Sequence, residues 1–163
     1  MKISFNIREA NESDIPVILD LAKQLAIYER SPESFVATED DYKKWGWGKE
    51  NIFKVLLAEN AGEGPRFVGF ALYYYTFSTW TGRPTLWLED IFVPKNLRGN
   101  GIGTALLKRL ARIALEKGCK RMEWTVLDWN ETSRQFYFRL GSKSLDEWTT
   151  FRLTTKEIEK LAS

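Results

Sequence analysis

Apolar residues recur along this chain with two different periods. Phe5 and Ile7 alternate with polar neighbours as an opening strand does. Ile15, Ile18, Leu19, Ala22, Leu25 and Ala26 then repeat at helical spacing, so one face of a helix running to about Tyr28 should pack on a sheet. Ser13 stands in the capping position with Pro16 in the first turn. Glu29 to Val36, holding Pro32, reads as a loop. Thr38 followed by Glu39, Asp40 and Asp41 predicts a short second helix ending near Gly46, because acidic side chains suit the positive end of a helix dipole.

Period two then returns. Phe53 to Glu59 and Phe67 to Phe77 are rich in aromatic and branched residues, and Gly62-Glu63-Gly64-Pro65 between them predicts a hairpin. After a turn carrying Trp80 and Gly82, Leu86 to Val93 reads as a third strand bounded by Pro94. Gly101 to Lys117 is an amphipathic helix closed by Gly118, Met122 to Leu127 a strand, and Glu131 to Leu140 a helix ending at Gly141. Alternation over Phe151 to Leu153 suggests a last strand before a helical tail from Thr155. A strand, a long helix and another strand with short connections make a right-handed crossover, so Leu86–Val93 and Met122–Leu127 should be parallel. The pattern predicts one α/β domain over 1–163: a mixed, mostly antiparallel sheet with a central parallel pair, flanked by helices.

Composition narrows the chemistry. With 24 basic and 22 acidic residues the net charge is +2, too small a field to draw nucleic acid or an anionic membrane. No run of about eighteen apolar residues and no cleavage-site pattern is visible, and the single Cys119 rules out an internal disulfide, so the expected compartment is the cytoplasm. Zero histidines and one cysteine leave too few soft ligands for a metal site and exclude a histidine-based triad. Carboxylates, hydroxyls, phenols and backbone groups must carry any reaction.

Arg98-Gly99-Asn100-Gly101-Ile102-Gly103 lies where a strand, a short loop and a helix start meet. Backbone N–H groups are unpaired there, the glycines let a phosphate come close, and Arg98 adds charge. A pyrophosphate is the natural ligand. The spacing is neither that of the lysine-containing P-loop nor that of the dinucleotide fingerprint.

It does resemble the Arg/Gln-x-x-Gly-x-Gly/Ala motif of the GCN5-related N-acetyltransferase superfamily, matched by Arg98, Gly101 and Gly103. Tyr28-Glu29, Leu88-Glu89-Asp90 with Val93, Asp128-Trp129-Asn130-Glu131, and Phe136-Tyr137 before Arg139 and Gly141 extend the resemblance over nearly the whole chain. They bring it closest to the diamine (spermidine/spermine and thialysine) acetyltransferases. The resemblance implies that family's fold, acetyl-CoA as co-substrate, a homodimer, and a small cationic amine as acceptor. On the cofactor side it implicates the backbone of Ile91 and Val93, Arg98, Gly99, Gly101 and Gly103 of the turn, Asn130, and Tyr137.

A primary amine is mostly protonated at neutral pH and must lose a proton before attacking a thioester. Glu89 is the candidate base, directly or through water, with an outward strand carboxylate paired to Lys or Arg as the plainer alternative; strand alternation then turns Asp90 to the other face. For Tyr137 the resemblance implies the role of general acid towards the departing thiolate, a phenol being a donor that stays neutral until about pH 10, with a packed core tyrosine as the plainer alternative. Backbone N–H near Val93 suits the thioester carbonyl. Tyr28, Glu29, Trp80, Glu89 and Asp128 combine carboxylates and aromatic faces suited to an ammonium ion, although Glu29 also fits a solvated loop and Trp80 a turn aromatic. Where the polyamine branch places an acidic residue and proline before the matching tryptophan, this chain has Ser78-Thr79, which favours a lysine analogue or short diamine. A spermidine/spermine acetyltransferase, a non-catalytic acetyl-CoA-binding module and a protein acetyltransferase are the other readings.

Overall fold

In the computed structural model, which describes residues 3–163, the chain divides after Thr125 into two compact units. The first holds five strands in the order of the sequence: β1 (Phe5–Glu9), β2 (Lys54–Asn60), β3 (Phe67–Ser78), β4 (Arg83–Phe92) and β5 (Met122–Glu123). The first four pair antiparallel and β4 pairs parallel with β5. The crossover therefore forms as its spacing requires. The parallel pair ends the strand order instead of occupying its centre, and β5 spans two residues instead of reaching Leu127.

Helix α1 (Ile15–Tyr28) buries Ile15, Ile18, Leu21, Ala22 and Leu25, while Leu19 and Ala26 are only partly covered. This stripe packs on Val55, Leu57, Phe70, Leu72 and Phe92. Each such side chain taken fully from water is worth roughly 1.5–3 kcal/mol. The cap is Asn11, not Ser13: its side-chain oxygen accepts from the Ser13 N–H at 3.0 Å, and a 3-10 turn over Glu12–Asp14 precedes the α-helix. Asp14 fixes that entry by accepting two hydrogen bonds from Arg8 of β1, at 2.7 and 2.9 Å. Arg8 Nε also donates to Glu59 of β2. Thr38 caps α2 (Glu39–Tyr42), which runs on as a π-helical turn through Trp47.

The alternate positions of the sheet face α3 (Ile102–Glu116), which buries Ile102, Leu106, Leu107, Leu110, Ile113 and Ala114. Gly69 of β3 is glycine because the backbone at the end of β4 comes so close, with the start of α3 beside it. A Cβ there would sit 2.8 Å from the Phe92 carbonyl oxygen and 3.3 Å from Ile102 Cγ2. Gly118, at φ +77°, ends α3 as expected.

The second unit holds α4 (Glu131–Arg139) and α5 (Thr155–Ala162). Asn130 caps α4, accepting from the Ser133 N–H, and Gly141 at φ +89° follows it. Phe151–Leu153 is not a strand: its alternation marks only which residues are apolar, and a strand needs a partner ladder as well.

Candidate active site

Strand β4 carries an irregularity at the centre of the site. Leu72 pairs with Asp90 but Tyr73 pairs with Leu88, so Glu89 is an extra residue facing no partner on β3. A bulge of this kind breaks strict alternation and re-aims side chains. Asp90 shares a face with Leu72, which packs against α1, and Trp87 shares that face with its partner Tyr74. Glu89 Oε2 accepts from Tyr74 Oη at 3.0 Å and from Trp87 Nε1 at 2.9 Å. Both carboxylates therefore look towards α1 and α2. The expectation that Asp90 turns away is overturned, because the bulge cancels the two-residue period between them.

The surroundings are sparing in positive charge. Burial pushes the Asp90 carboxyl up to about 7, and the negative charges of Glu89 and Glu29 push the same way. Burial alone raises Glu29, at the C-terminal end of α1. Tyr42 of α2 rises to about 12, chiefly through burial and then through the charge of Asp90. Two partly desolvated carboxylates, Asp90 and Glu29, thus stand within electrostatic reach of each other, exposed Glu89 adds its charge to Asp90, and among the described residues no Lys or Arg hydrogen-bonds to any of the three, an arrangement that attracts an ammonium ion.

The glycine turn lies beyond the end of β4. Gly99 (φ +81°) and Gly101 (φ +83°) are left-handed, with no atom within 4 Å of where a Cβ would stand. Gly101 caps α3 without a side-chain hydrogen bond, and the first helical bond runs from Ala105 N–H to the Gly101 carbonyl. The N–H groups of Ile102, Gly103 and Thr104 are left for an incoming group. An open helix start, room above two glycines and a nearby guanidinium fit a pyrophosphate. Arg98 is already engaged: Nε donates to the Val93 carbonyl at 3.0 Å and its Cζ lies 4.4 Å from the Tyr28 ring centroid. Because β5 pairs only with Leu86 and Trp87, β4 from Leu88 onwards has no strand partner on that side among the described residues. Ile91, half-buried, lies along this edge, with Val93 just past the strand end.

The remaining candidates are distributed as follows. Tyr28, Glu29 and Glu89 line the α1 side of the sheet with Asp90. Trp80 is 87% exposed in the β3–β4 turn, and six strand residues separate that turn from Glu89, roughly 20 Å, so the two are not brought together. In the second unit, Tyr137 is buried on α4 with its ring 5.4 Å from that of Phe136, and Asn130 is buried at the cap. Asp128 has a fully solvent-facing side chain 3.6 Å from Arg134. Sequence reasoning set Asp90 aside and missed Tyr42, Tyr74 and Trp87. Trp87, two residues before Glu89, was open to detection by period; Tyr74 depends on strand pairing, and Tyr42 on where α2 packs against the sheet.

Such a mixed sheet, bulged at its carboxylates and followed by an open phosphate turn, defines an acyl-CoA-dependent transferase. The Acetyltransferase (GNAT) family model matches residues 19–141, and the chain belongs to that family. It is an N-acetyltransferase. Among curated proteins it is 38% identical to the thialysine N-epsilon-acetyltransferase of Bos taurus over 96% of both chains, and 38% identical to that of Mus musculus over 98% of both. It is 37% identical to the spermidine/spermine N(1)-acetyltransferase-like protein 1 of Homo sapiens, over 97% of this chain and 24% of that one. Among solved structures, an integron cassette protein from V. cholerae superimposes with a TM-score of 0.79 at 26% identity, covering 99% of this chain and 98% of the other. Among the described residues no helix is long and apolar enough to cross a membrane, and no three His, Cys, Asp or Glu are grouped to hold a metal.

Proposed function

We propose that the enzyme transfers acetyl from acetyl-CoA directly to the primary amine of a small cationic acceptor, a thialysine-like lysine analogue or a short diamine. The observation that carries this reading is the acidic group of Glu29, Glu89 and Asp90 on the α1 face, where the charges of Glu89 and Glu29 act on partly buried Asp90, which suits a small ammonium ion. The kinship to thialysine acetyltransferases supports the acceptor class, and so does the β3–β4 turn. Ser78, standing where the polyamine branch has its acidic residue, is buried and accepts the Thr81 N–H at 3.3 Å, so it serves the turn.

In this mechanism Glu89 takes a proton from the ammonium, directly or through water, and frees the nitrogen lone pair. The nitrogen attacks the thioester carbonyl, whose developing oxyanion is met by the Val93 N–H. The carbon–sulfur bond breaks, the Tyr137 phenol protonates the leaving thiolate, and the second proton lost by the nitrogen as it becomes an amide returns through water to the tyrosinate. The turn from Arg98 to Gly103, with Ile91 and Asn130, holds acetyl-CoA. Cys119 is no acyl carrier: it is buried, and burial pushes its thiol up, away from the reactive thiolate.

Residues 1–163 act as one acetyltransferase domain, a reading supported by a family match that runs across Thr125. The protein works in the cytoplasm as a homodimer. Exposed Leu145, Trp148, Phe151, Ile158 and Leu161 in the second unit are apolar surface of the kind a partner covers, and light scattering tests it. For the activity, thialysine, lysine, putrescine, spermidine and a lysine peptide are each incubated with acetyl-CoA and thiol release is followed. Turnover should be fastest with thialysine or putrescine. Preference for spermidine moves the enzyme to the polyamine branch, preference for the peptide makes it a protein acetyltransferase, and tight acetyl-CoA binding without turnover makes it a sensor.

A further inference from the structure

The geometry points to Tyr74 and Trp87 as positioning residues that lock one oxygen of Glu89 and leave the other for the acceptor. Neither residue belongs to the machinery named above, and the inference rests on the reading of Glu89 as the base.

Glu89 needs such help because of where it stands. As the inserted residue of the bulge it lacks a cross-strand partner on β3, and its side chain is exposed. A glutamate free in all its torsions spends little time in any one geometry, since fixing such a side chain costs roughly 1.5–2 kcal/mol. Two donors from two strands supply the restraint. Tyr74 and Trp87 are direct cross-strand partners, their rings 6.5 Å apart and inclined by 33°. The phenol donates at 3.0 Å and the indole N–H at 2.9 Å, both to Oε2. Among the described residues Oε1 accepts no hydrogen bond. The carboxylate thus presents one saturated oxygen, held by donors on two rigid rings, and one open one.

The donors suit holding rather than proton transfer. An indole N–H only donates and cannot take a proton from the carboxylate. Tyr74 stays a phenol through the working range, pushed up to about 12 by burial first and then by the hydrogen bond to Glu89. The pair therefore sets the direction from which Oε1 meets the ammonium proton. A base displaced by an ångström loses rate in the chemical step while binding of acetyl-CoA is untouched.

The test is steady-state kinetics on Tyr74→Phe and Trp87→Phe, each made in the parent and in a Glu89→Ala background. Tyr74→Phe keeps its ring and loses its donor, and Trp87→Phe keeps an aromatic ring, smaller than the indole, and loses its donor. In the parent, each substitution should lower kcat about three- to tenfold, with KM for acetyl-CoA unchanged. In the Glu89→Ala background, itself lowered by roughly a hundredfold or more, neither should lower kcat further, because coupled residues act non-additively. An equal fall in both backgrounds means the rings act through packing and overturns the proposal. Full kcat in Glu89→Ala itself overturns the assignment of the base, a separate result. Should Trp87→Phe fail to fold, as its melting curve would reveal, Tyr74→Phe carries the same comparison alone.

Discussion

The guanidinium of Arg98 lies over the ring of Tyr28, Cζ to ring centroid 4.4 Å, and so ties the end of α1 to the loop that begins the phosphate turn. Arg98 also donates to the Val93 carbonyl, so a single side chain touches the helix that carries Glu29 and the end of the strand that carries Glu89. Cation–π contact of this kind is worth about 0.5–2 kcal/mol. Tyr28→Leu should therefore raise KM for acetyl-CoA about threefold through a loosened Arg98, and Arg98→Ala should raise it about tenfold or more. Titration with acetyl-CoA, read calorimetrically, checks the order of the two effects.

Asp90 makes stability depend on pH. Its carboxyl is raised to about 7 by burial and by the charges of Glu89 and Glu29. A folded state that holds its proton more tightly than the unfolded chain loses stability as pH rises from the ordinary carboxylate value towards 7, and the loss is complete above it. Asp90→Asn cannot ionise, so it should melt higher than the parent at pH 8 and close to it at pH 4. The gain at pH 8 should be of the order of 1–3 kcal/mol, read from denaturant curves at the two pH values. An acceptor ammonium beside these carboxylates should recover part of the same stabilisation in the parent.

Asp14 has the opposite sign. The hydrogen bond from Arg8 is the largest influence holding its carboxyl below the usual range. The stabilisation is present at neutral pH and disappears as pH falls through that lowered value. Asp14→Ala leaves Arg8 without its bidentate partner and should cost about 3 kcal/mol at pH 7, shrinking as pH falls below the ordinary carboxylate range. Urea titration at pH 7 and pH 2.5 separates the two conditions.

Two glycines should respond differently to alanine. Gly101→Ala meets no neighbour, so its cost is the left-handed backbone alone, about 1 kcal/mol, together with weaker acetyl-CoA binding as the methyl intrudes on the turn. Gly69→Ala must push its Cβ away from the Phe92 carbonyl oxygen at 2.8 Å, and backbone in mid-sheet cannot retreat. It should cost about 1–3 kcal/mol or more. Melting temperatures rank them, with Gly69→Ala the lower.

Local pattern determined much of this protein. The apolar periods of α1 and α3 are set by which residues can leave water, and glycines 99, 101 and 118 by a backbone that only glycine adopts without strain. The crossover from β4 to β5 follows from the hand of the chain. These are properties of neighbours in sequence. Tertiary structure decided the rest. The bulge at Glu89 exists only because β3 and β4 pair out of step between Tyr73 and Leu72, and that one slip puts Asp90 beside Glu89 and brings Tyr74 and Trp87 to a single oxygen. Arg98 reads as a phosphate ligand in sequence, yet its contact with Tyr28 spans seventy positions and is invisible until the sheet closes. The alternation at Phe151–Leu153 failed for the complementary reason, since a period assigns faces but hydrogen-bonding partners make a strand.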